Sequence, residues 1–233
     1  MERAMQLAEF LCARMCHDIT GPIGAISNGV EFLQDEGCGM QDQAVELIAT
    51  SAVEAVARLQ FFRVAYGSVN TQGETDLGKC RSLTKALFAH SKITLHWADE
   101  SAESCDVNIS AHKARLLLNL IVIAAATLIR GGKVSVSIYQ DEQQVYLIVK
   151  AEGDTVRWDA DSEALLARGS MGALDSRNVQ LYYTHLQAQD LEINMQITSD
   201  AEHFACRALS ARSDRSVGMS QEHGLPPLAE QAL

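Results

Sequence analysis

Apolar and small residues recur every three or four positions over residues 2–34, which is the period of an amphipathic helix. A second stripe with the same period covers residues 41–66. The segment DEGCG at residues 35–39 separates the two stripes and carries strong helix-stop signals. The stripes are Leu7, Leu11, Met15, Ile19, Pro22 or Ile23, Ile26, Val30 and Leu33, then Ala44, Ile48, Ala52, Ala55, Leu59, Phe62 and Tyr66. The pattern therefore predicts an antiparallel helical hairpin over residues 1–67.

A hairpin of this kind cannot bury both of its stripes well by itself. Pairing two hairpins about a two-fold axis gives a four-helix bundle, so we predict a homodimer. The alternative is that the hairpin packs against the rest of its own chain. The sequence pattern leaves both arrangements open.

The chain after the hairpin alternates between helical and strand patterns. Residues 68–76 are polar and contain glycine, so we predict a linker there. We predict helices at residues 77–89, 110–130, 161–167 and 175–189, and strands at residues 93–97, 133–139, 144–151, 191–198 and 202–209. This alternation indicates an α/β domain over residues 77–210. Residues 211–233 are polar, contain Pro226 and Pro227, and are predicted to be a disordered tail.

His17 stands out on the first helix because it faces away from the apolar stripe. It lies two residues from Met15 and two from Ile19. At about 100° per residue, that is roughly 200° from each of them. An exposed imidazole can be neutral and nucleophilic near pH 7, and Asp18 can orient it. A His-Asp pair is also common on an ordinary solvated helix surface, so the pair alone does not decide between the two readings.

Apart from Arg14, the residues one turn from His17 on either side are small, and Gly24 lies a further turn along. Gly21 and Gly24 both lie inside the predicted helix, where a glycine costs about 1 kcal/mol relative to alanine. Small residues beside an exposed nucleophile suggest that something bulky approaches closely.

Composition and charge exclude several classes of protein. A formal charge of −11 argues against a nucleic-acid partner, because phosphate contacts need clustered Lys and Arg. No apolar run is long enough for a membrane span, and Glu2, Arg3 and Glu9 break any signal-peptide pattern. We therefore expect a cytoplasmic protein with no membrane partner.

The six cysteines form no C-x-x-C pair and no regular framework. Cys12 and Cys16 are four residues apart on one helix, so two interpretations apply: a shared metal or reduced thiols. No second pair of Cys or His accompanies them, and we predict reduced thiols and no metal site.

Several segments together resemble a known family. They are LCARMCHD at 11–18, GPIGAISNG at 21–29, ARLQFFRVAYG at 57–67, LLNL at 117–120, GG at 131–132 and VQLYY at 179–183. The hairpin resembles the dimerisation and histidine-phosphotransfer domain of two-component histidine kinases. The remainder resembles their ATP-binding domain, an α/β sandwich of the Bergerat type. The likeness is strongest to the ChpT family of alphaproteobacterial histidine phosphotransferases and covers roughly residues 5–209.

The chain departs from a working kinase at the positions that hold nucleotide. Kinases of this type carry a second Asn four residues after the position of Asn119, and here that residue is Ile123. The strand ending near residue 151 should lead into an Asp-x-Gly-x-Gly loop, but AEGDT stands at residues 151–155. The later phosphate-binding glycine loop is reduced to GSMG at residues 169–172. The resemblance therefore implies a degenerate ATP-binding domain that binds ATP weakly or not at all.

The resemblance implies a phosphorelay with His17 as the phosphoryl carrier. A phospho-aspartate on the receiver domain of a CckA-like hybrid kinase would donate to His17, which would pass the group to CtrA-like or CpdR-like response regulators. The chain then needs no cofactor of its own, since Mg²⁺ belongs to the receiver. The expected site residues are His17 and Asp18, with docking residues Arg14, Thr20, Gly21, Gly24, Arg58, Phe62 and Arg63.

Three alternatives to parts of this scheme stay open. The arginines of the second helix can equally be ordinary surface residues. The chain can be an autophosphorylating kinase with a divergent ATP site. It can also be a non-catalytic receiver-binding scaffold.

Overall fold

A computed structural model describes residues 2–35, 39–67, 74–75, 77–98, 109–140, 145–170 and 174–210. The predicted tail at 211–233, most of the predicted linker and the end of the segment at 169–172 lie outside the described residues.

The chain begins with two long helices that pack along each other. Helix α1 spans Glu2–Gln34 and α2 spans Gln41–Ala65. They run antiparallel, and near their connection Gly29 of α1 is buried against α2. A Cβ atom at Gly29 would lie 2.6 Å from Cγ1 of Ile48, which is closer than real Cβ contacts. A side chain at this position would therefore force α1 and α2 to shift. The predicted hairpin is therefore confirmed.

The rest of the described chain forms a mixed sheet covered by helices. The helices are α3 (Leu77–Phe88), α4 (Ala111–Thr127), α5 (Ala160–Arg168) and α6 (Val179–Asp190). The strands are β1 (Glu74–Thr75), β2 (Ile93–Trp97), β3 (Ile109–Ser110), β4 (Gly132–Gln140), β5 (Val145–Glu152), β6 (Ile193–Ser199) and β7 (His203–Ser210). Five strands form one sheet in the order β2-β4-β5-β7-β6, and β1 pairs with β3 separately. Strand β2 is parallel to β4, and the other neighbours in the large sheet are antiparallel.

One face of this sheet supplies most of the core. In register across it lie Val136, Val149 and Cys206, all fully buried. Alternate residues such as Ser135 and Lys150 belong to the opposite face and are only partly buried. This is the period-2 alternation expected of strands with one covered face. Helix α4 packs on the covered face, and more than half of its residues are buried.

Two helix boundaries differ from the sequence prediction for identifiable reasons. Helix α4 ends at Thr127 because Leu128 leaves the helix to pair with Val156, and the carbonyl of Thr127 accepts from the backbone N–H of Arg157 at 2.8 Å. The predicted end at residue 130 was wrong. Helix α6 begins at Val179, because residues 175–178 form a capped turn before it. Strands β1 and β3 are two residues each, too short for a periodic pattern, and β1 lies within the predicted linker.

The hairpin packs against the α/β unit at one end. Phe61 and Ala65 of α2 are fully buried in the same core cluster as α4, and Met15 and Ile19 of α1 pack against that cluster. The hairpin thus does pack on its own chain over its last turns. The apolar residues nearer the connection of α1 and α2 stay exposed, among them Ile23, Val30, Val45, Val53 and Val56.

The predicted combination of a helical hairpin with an α/β sandwich is confirmed. Over the described part of the chain, no helix has the length and apolarity needed to cross a bilayer. The cytoplasmic location stays a prediction.

Candidate functional site

His17 lies midway along α1 with 87% of its side chain exposed. The residues two positions away on either side, Met15 and Ile19, pack against the core. The opposite-face geometry inferred from the periodicity is therefore present. The imidazole therefore lies on the exposed face of α1, where another protein can reach it.

Asp18 contacts the imidazole on one side only. Its Oδ1 lies 3.2 Å from Nδ1 of His17, and 34% of the Asp18 side chain is exposed. A carboxylate favours the hydrogen on the ring nitrogen that faces it, and the lone pair of a neutral ring is then on Nε2. The pair therefore presents Nε2 to solvent as a nucleophile.

Two arginines contact Asp18. Nε of Arg14 lies 3.8 Å from Oδ2 of Asp18, and Nη1 of Arg58 donates to the backbone carbonyl of Asp18. Arg58 also donates from Nη2 to Oε1 of Glu54 at 2.5 Å. Both arginines were predicted as docking residues for a partner. The structure gives each of them partners within the chain, and both are partly buried.

The other predicted docking residues fall into two groups. Thr20, Gly21 and Gly24 follow His17 along α1, and the Thr20 hydroxyl donates to the carbonyl of Cys16 at 2.7 Å. A Cβ atom at Gly21 or Gly24 would meet nothing within 4 Å. No described residue of this chain therefore requires glycine at those two positions.

Phe62 and Arg63 line an open groove of about 520 Å³ at the end of α2, together with Met15 and Leu59. Arg63 is exposed, but only 7% of Phe62 is, and its ring packs 5.6 Å from that of Tyr66. Phe62 is thus a core residue whose edge borders the groove. A docking role for either residue stays a prediction.

A buried polar network that the sequence analysis did not identify joins the hairpin to the α/β unit. Nδ2 of Asn119 donates to the carbonyl of Ala65 at 3.1 Å and to Oε1 of Gln187 at 3.1 Å. Its Oδ1 accepts from Nε2 of Gln180 at 2.5 Å, and Gln180 in turn accepts from the hydroxyl of Tyr66. Burial raises the pKa of Tyr66 to about 12. The sequence signal was Asn119 itself, a polar residue within the apolar run of α4.

Among the described residues, a small cavity lies beside Ile123, the position of the second kinase Asn. Its volume is about 140 Å³, and its walls include Arg14, Ile123, Trp158, Arg177 and Gln180. Pockets for drug-sized ligands span roughly 300–1,000 Å³. Among the described residues, no group of three or more His, Cys, Asp or Glu side chains could hold a metal ion.

Comparison with known proteins places this arrangement in a family. The family described as "Histidine phosphotransferase C-terminal domain" matches residues 77–203. Protein phosphotransferase ChpT of Brucella abortus (strain 2308) is 32% identical over 207 residues, which cover 88% of this chain and 96% of the relative. The chain belongs to the ChpT family of histidine phosphotransferases.

The solved structure of a bacterial phosphotransferase matches this member of the ChpT family with a TM-score of 0.76 and 31% identity, over 88% of this chain and 96% of the other. Histidine kinase AdeS of Acinetobacter baumannii aligns at a TM-score of 0.44 and 13% identity, over 85% and 98% of the two chains. The family match and the two relatives above 30% identity confirm the resemblance at the level of the family.

Proposed function

We propose that His17 is the phosphoryl carrier of a phosphorelay. It accepts the group from a phospho-aspartate on the receiver domain of a hybrid histidine kinase and passes it to the receivers of response regulators. The observation that carries this proposal is the 87% exposed imidazole with Asp18 at its Nδ1. Membership of the ChpT family supports the reaction class.

The chemistry follows from that pair of side chains. The lone pair of Nε2 forms the N–P bond as the O–P bond of the aspartyl phosphate breaks, and the electron pair leaves with the receiver's carboxylate. The ring keeps its hydrogen on Nδ1 and becomes positively charged, and the Asp18 carboxylate balances that charge, as an oriented carboxylate does for a catalytic imidazolium. In the second transfer, the aspartate of the next receiver forms an O–P bond as the N–P bond breaks, and the electron pair returns to Nε2 of His17. Catalysis of phosphoryl transfer is mostly positioning and charge neutralisation.

The Mg²⁺ ion for this transfer belongs to the receiver in our proposal. The only carboxylate that contacts His17 among the described residues is Asp18, which Arg14 already neutralises in part. A chain that supplies the nucleophile and its orientation needs a partner to supply the metal.

We propose further that the chain does not use ATP. The position of the second kinase Asn is Ile123, and the cavity that the described residues form beside it, about 140 Å³, is smaller than pockets for drug-sized ligands. Asn119 is fully buried, and its side chain is occupied by hydrogen bonds within the chain. The α/β unit is then a scaffold with the fold of an ATP-binding domain.

The protein works as a homodimer in this proposal. Valines of α2 at positions 45, 53 and 56 are between 50% and 60% exposed, and Ile23 and Val30 of α1 are 51% and 41% exposed. A second hairpin would cover these side chains in a four-helix bundle. The remaining partners follow from the family resemblance: a CckA-like kinase upstream and CtrA-like or CpdR-like regulators downstream.

The test is a labelling experiment with three arms. The purified chain is incubated with radiolabelled ATP alone, with a labelled phospho-receiver, and with that receiver after His17→Ala. Acid-labile label that appears only from the receiver and disappears in His17→Ala supports the relay. His96→Ala, which removes an exposed histidine from β2, is the matched control and should label normally.

The same experiment separates the competing functions. Label from ATP alone would make the protein a kinase. If no arm gives label while receiver binding is intact, the protein is a non-catalytic receiver-binding scaffold.

A further inference from the structure

A continuous set of contacts connects the α/β unit to the imidazole of His17. Nη1 of Arg14 donates to the backbone carbonyl of Arg177 at 3.2 Å, across the boundary between hairpin and α/β unit. Nε of the same guanidinium lies 3.8 Å from Oδ2 of Asp18. The other oxygen of that carboxylate, Oδ1, faces Nδ1 of His17 at 3.2 Å. One arginine thus contacts both the second unit and the carboxylate that contacts the nucleophile.

The Arg177 carbonyl, which accepts from Arg14, belongs to a turn closed by hydrogen bonds. The backbone N–H groups of Arg177 and Asn178 donate to Oδ1 of Asp175 at 2.8 and 2.9 Å. Oδ1 of Asn178 accepts in return from the backbone N–H of Asp175 at 2.9 Å. This reciprocal capping fixes the turn before α6 and with it the direction of the Arg177 carbonyl.

The two units are also held together independently of Arg14. The buried hydrogen bonds of Asn119 to Ala65 and of Tyr66 to Gln180 join α2 to α4 and α6. These groups lie within the shared core, where a hydrogen bond is more costly to break than at the surface. The distance from the Arg177 carbonyl to α1 is therefore set by the fold.

An aspartate beside an exposed histidine does not by itself hold the ring. Contacts between exposed charged side chains contribute about 0–1 kcal/mol, because both side chains rotate freely in water. Asp18 differs because the guanidinium of Arg14 lies beside its second oxygen at ion-pair distance, and Arg14 has only 21% of its side chain exposed. The planar guanidinium can serve two acceptors in fixed directions, which a lysine ammonium cannot do.

We infer that Arg14 is a positioning residue that acts through Asp18 to keep His17 in its Nδ1–H tautomer, and that the α/β unit anchors it. This inference rests on the proposed function, since it concerns the nitrogen that attacks phosphorus. It also gives the ATPase-like unit a role in the transfer, as the anchor of the residue that orients the nucleophile.

The first measurement needs no partner. Long-range ¹⁵N–¹H correlation spectra of the full chain report which ring nitrogen of His17 carries the hydrogen, and His17→Ala identifies the signal. The wild type should give the Nδ1–H pattern. Arg14→Gln should move His17 to the Nε2–H form, which an unconstrained imidazole prefers, and should change the pH profile of phosphotransfer.

Two matched variants separate orientation from charge. Arg14 and Arg157 both line the cavity of about 140 Å³ described above. Arg157→Gln removes one positive charge from that cavity and should leave the tautomer of His17 unchanged. Arg14→Lys keeps the charge but loses the planar guanidinium that serves two acceptors. Its His17 tautomer should therefore be that of Arg14→Gln. Circular dichroism and thermal unfolding confirm that each variant is folded.

The second measurement is single-turnover transfer from a phospho-receiver. At saturating receiver, where docking affinity no longer limits the reaction, Arg14→Gln should lower the rate constant roughly tenfold, as loss of a residue that orients a reacting group does. A wild-type tautomer and pH profile in Arg14→Gln, or an equal effect of Arg157→Gln, would overturn the inference. If the wild type takes up no label at all, the proposed function fails, while the tautomer result still decides the role of Arg14.

Discussion

Gly24 allows the docking surface to be tested with one methyl group. It lies seven residues after His17 on α1, and a Cβ atom added there would meet nothing within 4 Å. In a helix interior, replacing glycine by alanine stabilises by about 1 kcal/mol when space permits. For a chain of this length, that corresponds to a melting temperature higher by about 2–4 °C.

The same methyl group should interfere with the partner. If a receiver packs directly on this face, overpacking costs about 1–3 kcal/mol. That is roughly a 5- to 150-fold loss of receiver affinity. Gly24→Ala is therefore expected to be more stable and less active at once, a combination that misfolding cannot produce.

Gly29→Ala is the control, because it makes the identical change five residues further along α1. There the new Cβ would lie 2.6 Å from Cγ1 of Ile48 and 3.2 Å from the carbonyl oxygen of Ala44. The clash should outweigh the gain in helix propensity, so this variant should unfold at lower urea concentration.

Urea unfolding and receiver titration of both glycine variants complete the test. A less stable Gly24→Ala would mean that this face is covered in the folded protein and would refute our account of it. Unchanged receiver affinity in a stabilised Gly24→Ala would remove Gly24 from the docking surface.

Three further predictions concern the core, alkaline stability and assembly. Asn119→Leu leaves several buried hydrogen-bond partners unsatisfied and should lower the free energy of unfolding by about 3 kcal/mol or more in urea titrations. A loss below about 1 kcal/mol would mean that the buried hydrogen bonds of Asn119 do not stabilise the fold. Burial raises the pKa of Cys206 from 9.0 to about 12. Between these two values the folded thiol keeps a proton that the unfolded chain loses. The free energy of unfolding should therefore fall as pH rises from 9 to 12. Cys206→Val should flatten that slope by about 1.4 kcal/mol per pH unit, and an unchanged slope would exclude Cys206 as its source. Val56→Lys should convert a dimer to monomers in light scattering, whereas Tyr139→Lys on β4 should not; equal masses for wild type and Val56→Lys would place the dimer contact elsewhere.

Local patterns in the sequence determined the elements of this protein and the exposure of its histidine. The bounds of α1 and β2 agree with the prediction, since each has a regular apolar period and clear stop signals. The side of α1 on which His17 lies follows from the 100° rotation per residue alone. The likeness to the ChpT family came from short segments between residues 11 and 183, of which those around His17 were the most specific, and it is confirmed.

Tertiary structure decided which side chains the histidine works with. Arg14 and Arg58 look alike in the sequence as surface cations of a helix, yet both contact Asp18. Arg14 does so while bonded to a carbonyl 163 residues away. Phe62 was expected at a docking surface and lies mostly in the core, because the α/β unit covers the end of α2. Such contacts depend on the packing of segments far apart in the chain, and a periodicity extending over a few helical turns contains no information about them.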